Sequence, residues 1–150
     1  MTDVSGNGDQ HVDIELIGDD IVALVEWCML TAVERWSGHL IPFAAGLTLD
    51  GELVEFTTPD VHAGTPEANA IIDLTAALRP HRSELRAAAI TYRIDHDADN
   101  DAIEVSLEHR GGVARLIRRP FPKDASALEL GALESKDAPG AILFEKPRAG

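Results

Sequence analysis

Cysteine is nearly absent from this chain of 150 residues. The single residue, Cys28, excludes an intrachain disulfide and leaves no second thiol for a zinc site, so a reducing compartment is expected. Aromatic residues make up only 5%, so the core must be built mainly from aliphatic side chains. No basic segment leads into an apolar one near the start, and no secretory signal is expected. The longest apolar run, around residues 40–49, is too short to span a bilayer. A cytoplasmic location follows as the expectation.

Basic residues are missing from the first half. Residues 1–78 carry 14 acids against one base, Arg35. Residues 79–119 carry eight arginines against seven acids, and residues 120–150 are almost neutral. The formal net charge of −13 therefore belongs to the first half, and six of its acids lie between Asp3 and Asp20. Phosphate backbones and anionic lipid surfaces are both bound by Lys and Arg, so neither nucleic acid nor membrane is an expected partner.

The residue pattern predicts one α+β domain over 13–122, preceded by a disordered acidic tail over 1–12 and followed by a C-terminal extension over 123–150. Asp13 to Ile17 alternates as a short strand or extended lead-in. A helix is expected to begin at Asp19 or Asp20, with Ile21, Val25, Cys28, Ala32 and Trp36 at helical spacing and Val22, Met29 and Val33 flanking them. Ser37-Gly38 ends it. Residues 40–56 read as a hairpin around a two-residue Asp50-Gly51 turn. Thr65 caps a second helix with Pro66 at its first position, and Ile71, Leu74, Ala77 and Leu78 form its buried stripe until Pro80.

Three strands follow, at 87–94, 102–109 and 113–119. A two-residue turn at Gly111-Gly112 would pair Glu108 with Arg115, Leu107 with Leu116 and Glu104 with Arg119. Residues 126–134 suit a short helix capped by Ser126, and residues 141–144 an edge strand. The resulting order, α-β-β-α-β-β-β, predicts a two-layer fold with two helices on one face of a mostly antiparallel sheet of about five strands.

Chemistry-bearing patterns are few. Asp97, Asp99 and Asp101 fall at the first, third and fifth positions of a calcium loop, with Glu108 at the twelfth. The sixth position, where such a loop needs glycine, is Ala102, and residues 102–109 alternate as a strand. A solvated hairpin loop is the expectation. Ser37 and His39 lack a nucleophile elbow, and Gly111-Gly112 lacks the lysine and helix of a phosphate-binding loop. No catalytic, metal or cofactor residue is assigned, and the chain is not expected to be an enzyme.

A partner surface is the remaining candidate. Trp27 and Leu30 fall outside the main stripe of the first helix, so they are covered either by the C-terminal segment or by a partner. Arg115, Arg118 and Arg119 crowd one hairpin and read either as a salt-bridged exposed sheet face interleaved with Glu104 and Glu108, or as an anion site or docking face, since arginine suits carboxylate partners at interfaces. These five residues are the expected interface, and the acidic half of a second copy is a fitting counterpart.

Three stretches carry a resemblance: LIPFAAGLTLDGELVEF at 40–56, ELRAAAITYRIDHD at 84–97 and DAIEVSLEHRGGVARLIRRPF at 101–121. Across about 19–122 the chain resembles small uncharacterised bacterial proteins of actinobacterial type. The resemblance implies an α+β fold and no catalytic residue or cofactor. The element order is also similar to that of roadblock-type domains, which dimerise and regulate small GTPases, although no residue motif accompanies the likeness.

The reading that follows is a small cytoplasmic, non-enzymatic protein-interaction module that self-associates, with a homodimer as the simplest form. An acidic immunity-type inhibitor of a basic toxin is the second reading, because anionic faces steer binding to cationic targets. A small-molecule-binding or enzymatic domain using a helix–sheet cleft is the third.

Overall fold

The structure, a computed structural model, describes residues 2–138 and 143–144, with side chains from Leu16 onward. Helix α1 spans Thr2–Arg35 and helix α2 spans Glu67–Leu78. The strands are β1 (Phe43–Thr48), β2 (Leu53–Phe56), β3 (Leu85–Asp95), β4 (Asn100–His109), β5 (Val113–Pro122) and β6 (Glu134–Asp137). They form a six-stranded sheet in the order β2-β1-β3-β4-β5-β6, with every neighbouring pair antiparallel. The α+β class is the one that the pattern predicts. Among the described residues no helix is long and apolar enough to cross a membrane.

Alternation along the strands divides the core. Ala45 and Leu47 of β1, Ala87 and Ala89 of β3, and Ile103, Val105 and Leu107 of β4 pack with Leu24, Val25, Cys28, Met29 and Ala32 of α1. Ala44, Ala88, Ile90 and Tyr92 pack instead with Leu74 and Leu78 of α2. Consecutive strand residues point to opposite faces, so Ala44 and Ala45 belong to different cores. Each helix thus closes its own core rather than sharing one.

Both glycine hairpins use three-residue loops where two were expected. Thr48 faces Glu52 across Leu49, Asp50 and Gly51, with the Thr48 N–H donating to Glu52 at 2.8 Å. His109 pairs with Val113 across Arg110, Gly111 and Gly112. Only the last residue of each loop has positive φ, +88° at Gly51 and +94° at Gly112, the pattern of a type I turn followed by a glycine bulge. The extra residue moves the β4–β5 register by one. Glu104 faces Arg118, Leu107 faces Arg115 and Ile103 faces Arg119, which replaces the expected Glu104–Arg119 and Glu108–Arg115 pairs.

Helix α1 begins well before Asp19. It takes in the expected lead-in over 13–17 and the backbone of the expected tail over 2–12. Ile14, Ile17 and Ile21 continue the helical spacing of three and four upstream, which outweighs the local alternation of Ile14 and Leu16. At the second helix, Thr65 is not the cap. Pro66 occupies that position, while the Thr65 hydroxyl donates back to the Asp60 carbonyl at 3.1 Å. After Leu78 the chain continues as a short 3-10 helix over Arg79–Glu84, which accommodates Pro80 in its first turn.

The C-terminal extension has no helix over 126–134. An edge strand forms at Glu134–Asp137. Residues 141–142 lie outside the described residues, whereas Leu143 and Phe144 pack on the α2 core. Pro120 and Pro122 close β5, where Pro120 needs only its carbonyl, which accepts the Gly131 N–H at 2.7 Å.

One polar knot fixes α1 on the sheet. Asp20, 3% exposed, accepts a hydrogen bond from Arg86 Nη2 at 2.8 Å and lies 2.8 Å from His109 Nε2. The Gly111 N–H donates to His109 Nδ1 at 2.9 Å, so Nε2 carries the ring proton and donates to Asp20. Arg86 sits at a bulge, since Leu47 pairs with Ala87 and Thr48 with Leu85. The bulge turns its side chain toward α1. Removing Asp20 leaves the quarter-exposed Arg86 guanidinium and the buried His109 N–H without their acceptor. Asp20→Ala should lower unfolding free energy by about 2–3 kcal/mol in urea denaturation. A loss below about 1 kcal/mol would show that the knot is not structural.

Candidate functional site

The surface beside α1 is apolar and open. Ile21, Val22, Val25, Met29, Leu30 and Val33 form one wall of a groove of about 530 Å³, and Glu26 adds one charge. Ile117 and Arg119 of β5 form the floor, and Leu130, Leu133 and Ser135 the far rim. Val22 is 64% exposed, Leu30 60% and Leu133 55%, values well above those of side chains that close a core. On α1 the exposed groove residues recur at positions 22, 26, 30 and 33, one stripe rotated away from the core stripe, while Val25 and Met29 belong to both the groove wall and the core.

Arg119 shapes the rim. Its Nε donates to the Gly131 carbonyl at 2.8 Å and its Nη2 to the Leu130 carbonyl at 3.0 Å. A fixed guanidinium therefore holds residues 130–131 against the end of β5, and the next residues enter β6. A Cβ at Gly131 would lie 3.2 Å from the Pro120 carbonyl, so the close approach of the two segments favours glycine.

Of the five expected interface residues, the groove gathers Leu30 and Arg119. Arg115 adjoins it through Ser135: its Nη2 donates to Ser135 Oγ at 2.7 Å, and its Nη1 to Asp137 at 2.6 Å. Trp27 lies elsewhere, half-buried and edge-on to Phe43 with ring centroids 6.0 Å apart. Phe43 of β1 supplies part of its cover. Arg118 points to the opposite face, where its Nη2 donates to Glu104 at 2.6 Å. The arginines thus form no common patch, because strand alternation and internal acceptors divide them. Val22 and Val33 read in sequence as flanks of the core stripe. Leu133 carried no signal, since its segment lacks periodicity.

The Glu104 cluster is structural in its geometry. Buried Glu104 receives the Tyr92 hydroxyl at 2.6 Å as well as Arg118, which satisfies both its oxygens. Burial first, and the Glu104 carboxylate second, push the Tyr92 hydroxyl well above its ordinary range. Burial likewise raises nearby Glu67 above the usual carboxylate value. Lys123 bonds Asp101 at 3.0 Å and also Asp95, tying the start of the C-terminal extension to the β3–β4 hairpin.

The remaining sequence candidates fall into place around these features. Asp97 Oδ1 accepts the N–H groups of Asp99 at 2.9 Å and Asn100 at 2.8 Å, which closes the expected hairpin loop. Those bonds lower the Asp97 pKa. Among the described residues no group of three or more His, Cys, Asp and Glu is placed to hold a metal ion. Ser37 and His39 line a second cavity of about 360 Å³ at the exit of α1, beside the Arg35–Glu55 pair at 2.7 and 2.6 Å. The Arg35 bonds lower the Glu55 pKa.

Comparison of the chain with protein-family models, with curated proteins and with solved structures found no match.

Cys28 is fully buried in the α1 core, and burial pushes its thiol up to about 12. Iodoacetamide at pH 8 should label it only after denaturation. Rapid labelling of the folded protein, followed by mass spectrometry, would contradict this placement.

Proposed function

We propose that this chain is a small, non-enzymatic protein-interaction module that self-associates through the α1 groove. The observation that carries the reading is the groove itself, whose walls leave Val22, Leu30 and Leu133 more than half exposed. Side chains of this size, exposed together, mark a surface that another protein covers.

A second copy fits as the occupant. The groove runs up to β6, and among the described residues β6 pairs with β5 alone. One surface therefore offers apolar area and a free strand edge side by side, as a self-complementary contact requires. The arginines do not argue for an external anion, since Arg115, Arg118 and Arg119 each hold internal acceptors.

Sedimentation equilibrium of the full chain tests the reading. The wild type should be a dimer, and Leu30→Glu should be a monomer with an unchanged far-UV circular dichroism spectrum. Leu30 is 60% exposed, so its replacement leaves the core intact. A wild type that remains monomeric at the highest attainable concentration would overturn the proposal. A Leu30→Glu dimer as tight as the wild type would move the contact away from the groove.

A further inference from the structure

We infer that two copies join edge to edge through β6, antiparallel about a two-fold axis at Ser135, to form one continuous sheet. The inference rests on the self-association proposed above and names the contact that fixes its register.

The backbone sets the first condition. Ala138 pairs opposite Ala114, and its N–H donates to the Ala114 carbonyl at 3.0 Å. Hydrogen-bonded and non-hydrogen-bonded pairs alternate along an antiparallel ladder. Counting back from Ala138, Lys136 and Glu134 turn their N–H and C=O groups toward β5, opposite Leu116 and Arg118. Ser135 and Asp137 turn theirs outward, to an edge that no described strand occupies. All four residues of β6 are exposed.

Side-chain charge sets the second condition. With the axis at Ser135, the two Ser135 residues exchange both their outward hydrogen bonds. Glu134 of each copy then lies opposite Lys136 of the other. These flanking pairs are of the non-hydrogen-bonded kind, which brings side chains closest, and both are opposite in charge. Moving the axis by one residue, to Lys136, would set the two Lys136 side chains against each other and lose the match. Charged side chains usually protect an edge from pairing. Here their order, Glu-Ser-Lys, opposes most registers and favours one. The other sheet edge, β2, reads Leu-Val-Glu-Phe and has no basic residue to answer Glu55, whereas Glu134, 3.6 Å from His96 of its own chain, has Lys136 two residues away on the same strand.

The groove agrees with this arrangement. A two-fold axis perpendicular to a sheet keeps each face on its own side, so both α1 helices lie on one face, each over its own copy's β1, β3 and β4. Ser135 and Leu133 line the groove. The two grooves then open onto one trough over the junction, with α1 of each copy as a wall and β5 and β6 of both copies as the floor.

Sedimentation equilibrium of full-length variants tests the register, with circular dichroism confirming the fold. The Ser135 N–H points away from β5, so Ser135→Pro spares the internal ladder and should abolish the dimer. Glu134→Lys sets lysine against lysine and should raise the dimer Kd about tenfold, the combined effect of two symmetric pairs. Glu134→Lys with Lys136→Glu restores opposite charges across the axis and should return Kd to within about threefold of wild type. A dimer that survives Ser135→Pro, with the double variant no better than the single, would overturn the edge contact. If Leu30→Glu still dissociated that dimer, self-association through the groove would stand without it. A monomeric wild type would remove both.

Discussion

The structure depends on a buried carboxylate. Asp20 brings a negative charge into the contact between α1 and the sheet, where an unpaired ion is costly. Arg86 on β3 and His109 at the end of β4 answer it from two strands, and the Gly111 N–H fixes the proton on the correct histidine nitrogen. Two strands and one turn thus converge on a single helical residue. The constraint is directional, because hydrogen bonds to fixed atoms set the rotation of α1 in a way that aliphatic packing does not. Val22, Leu30 and Val33 fall roughly 200–280° round the helix from Asp20, and so face away from the core. The apolar wall of the groove is a consequence of where the clamp sits.

Two glycines extend the same control to the sheet. Gly51 and Gly112 each close a three-residue loop in a conformation with positive φ, which L side chains rarely adopt. The loop length sets which residues of β5 face each helix. It places Arg118 with Glu104 on the α2 side, and Arg115 and Arg119 beside Ile117 on the α1 side. One residue more or less would exchange these sets. Arg119 would then lose its carbonyl partners in residues 130–131, and the segment leading into β6 would lose its anchor.

Much of the fold was legible in the chain. The periodicity of residues 19–35, the alternation of β3 to β5 and the Pro66 helix start all mark their elements. The β4–β5 register was not legible, because Gly111-Gly112 suits a two-residue turn as well as a three-residue loop. The two faces of the sheet were not separable either, since the alanines of 87–89 are small and apolar on both sides. Asp20 read as a helix start because a carboxylate ordinarily stands near a helix N-terminus. Its partners lie 66 and 89 residues away, beyond any local pattern. For the candidate site, Leu30 and Arg119 were visible as an apolar residue off the stripe and a clustered base. Leu133 and the edge at Ser135 were hidden, as short edge strands without alternation leave no periodic trace.

These parts join in one claim: a clamped helix leaves its far face open beside β6, whose outer edge no described strand occupies, and a second copy pairs with that edge. Amide hydrogen exchange of the wild type, followed residue by residue across a dilution series, tests this most directly. The amides of Glu134 and Lys136 point to β5 and should be protected at every concentration. The Ser135 amide should be protected only where the dimer is populated, and should lose that protection on dilution. A Ser135 amide that exchanges at the open-chain rate at all concentrations, beside protected neighbours, would contradict the account.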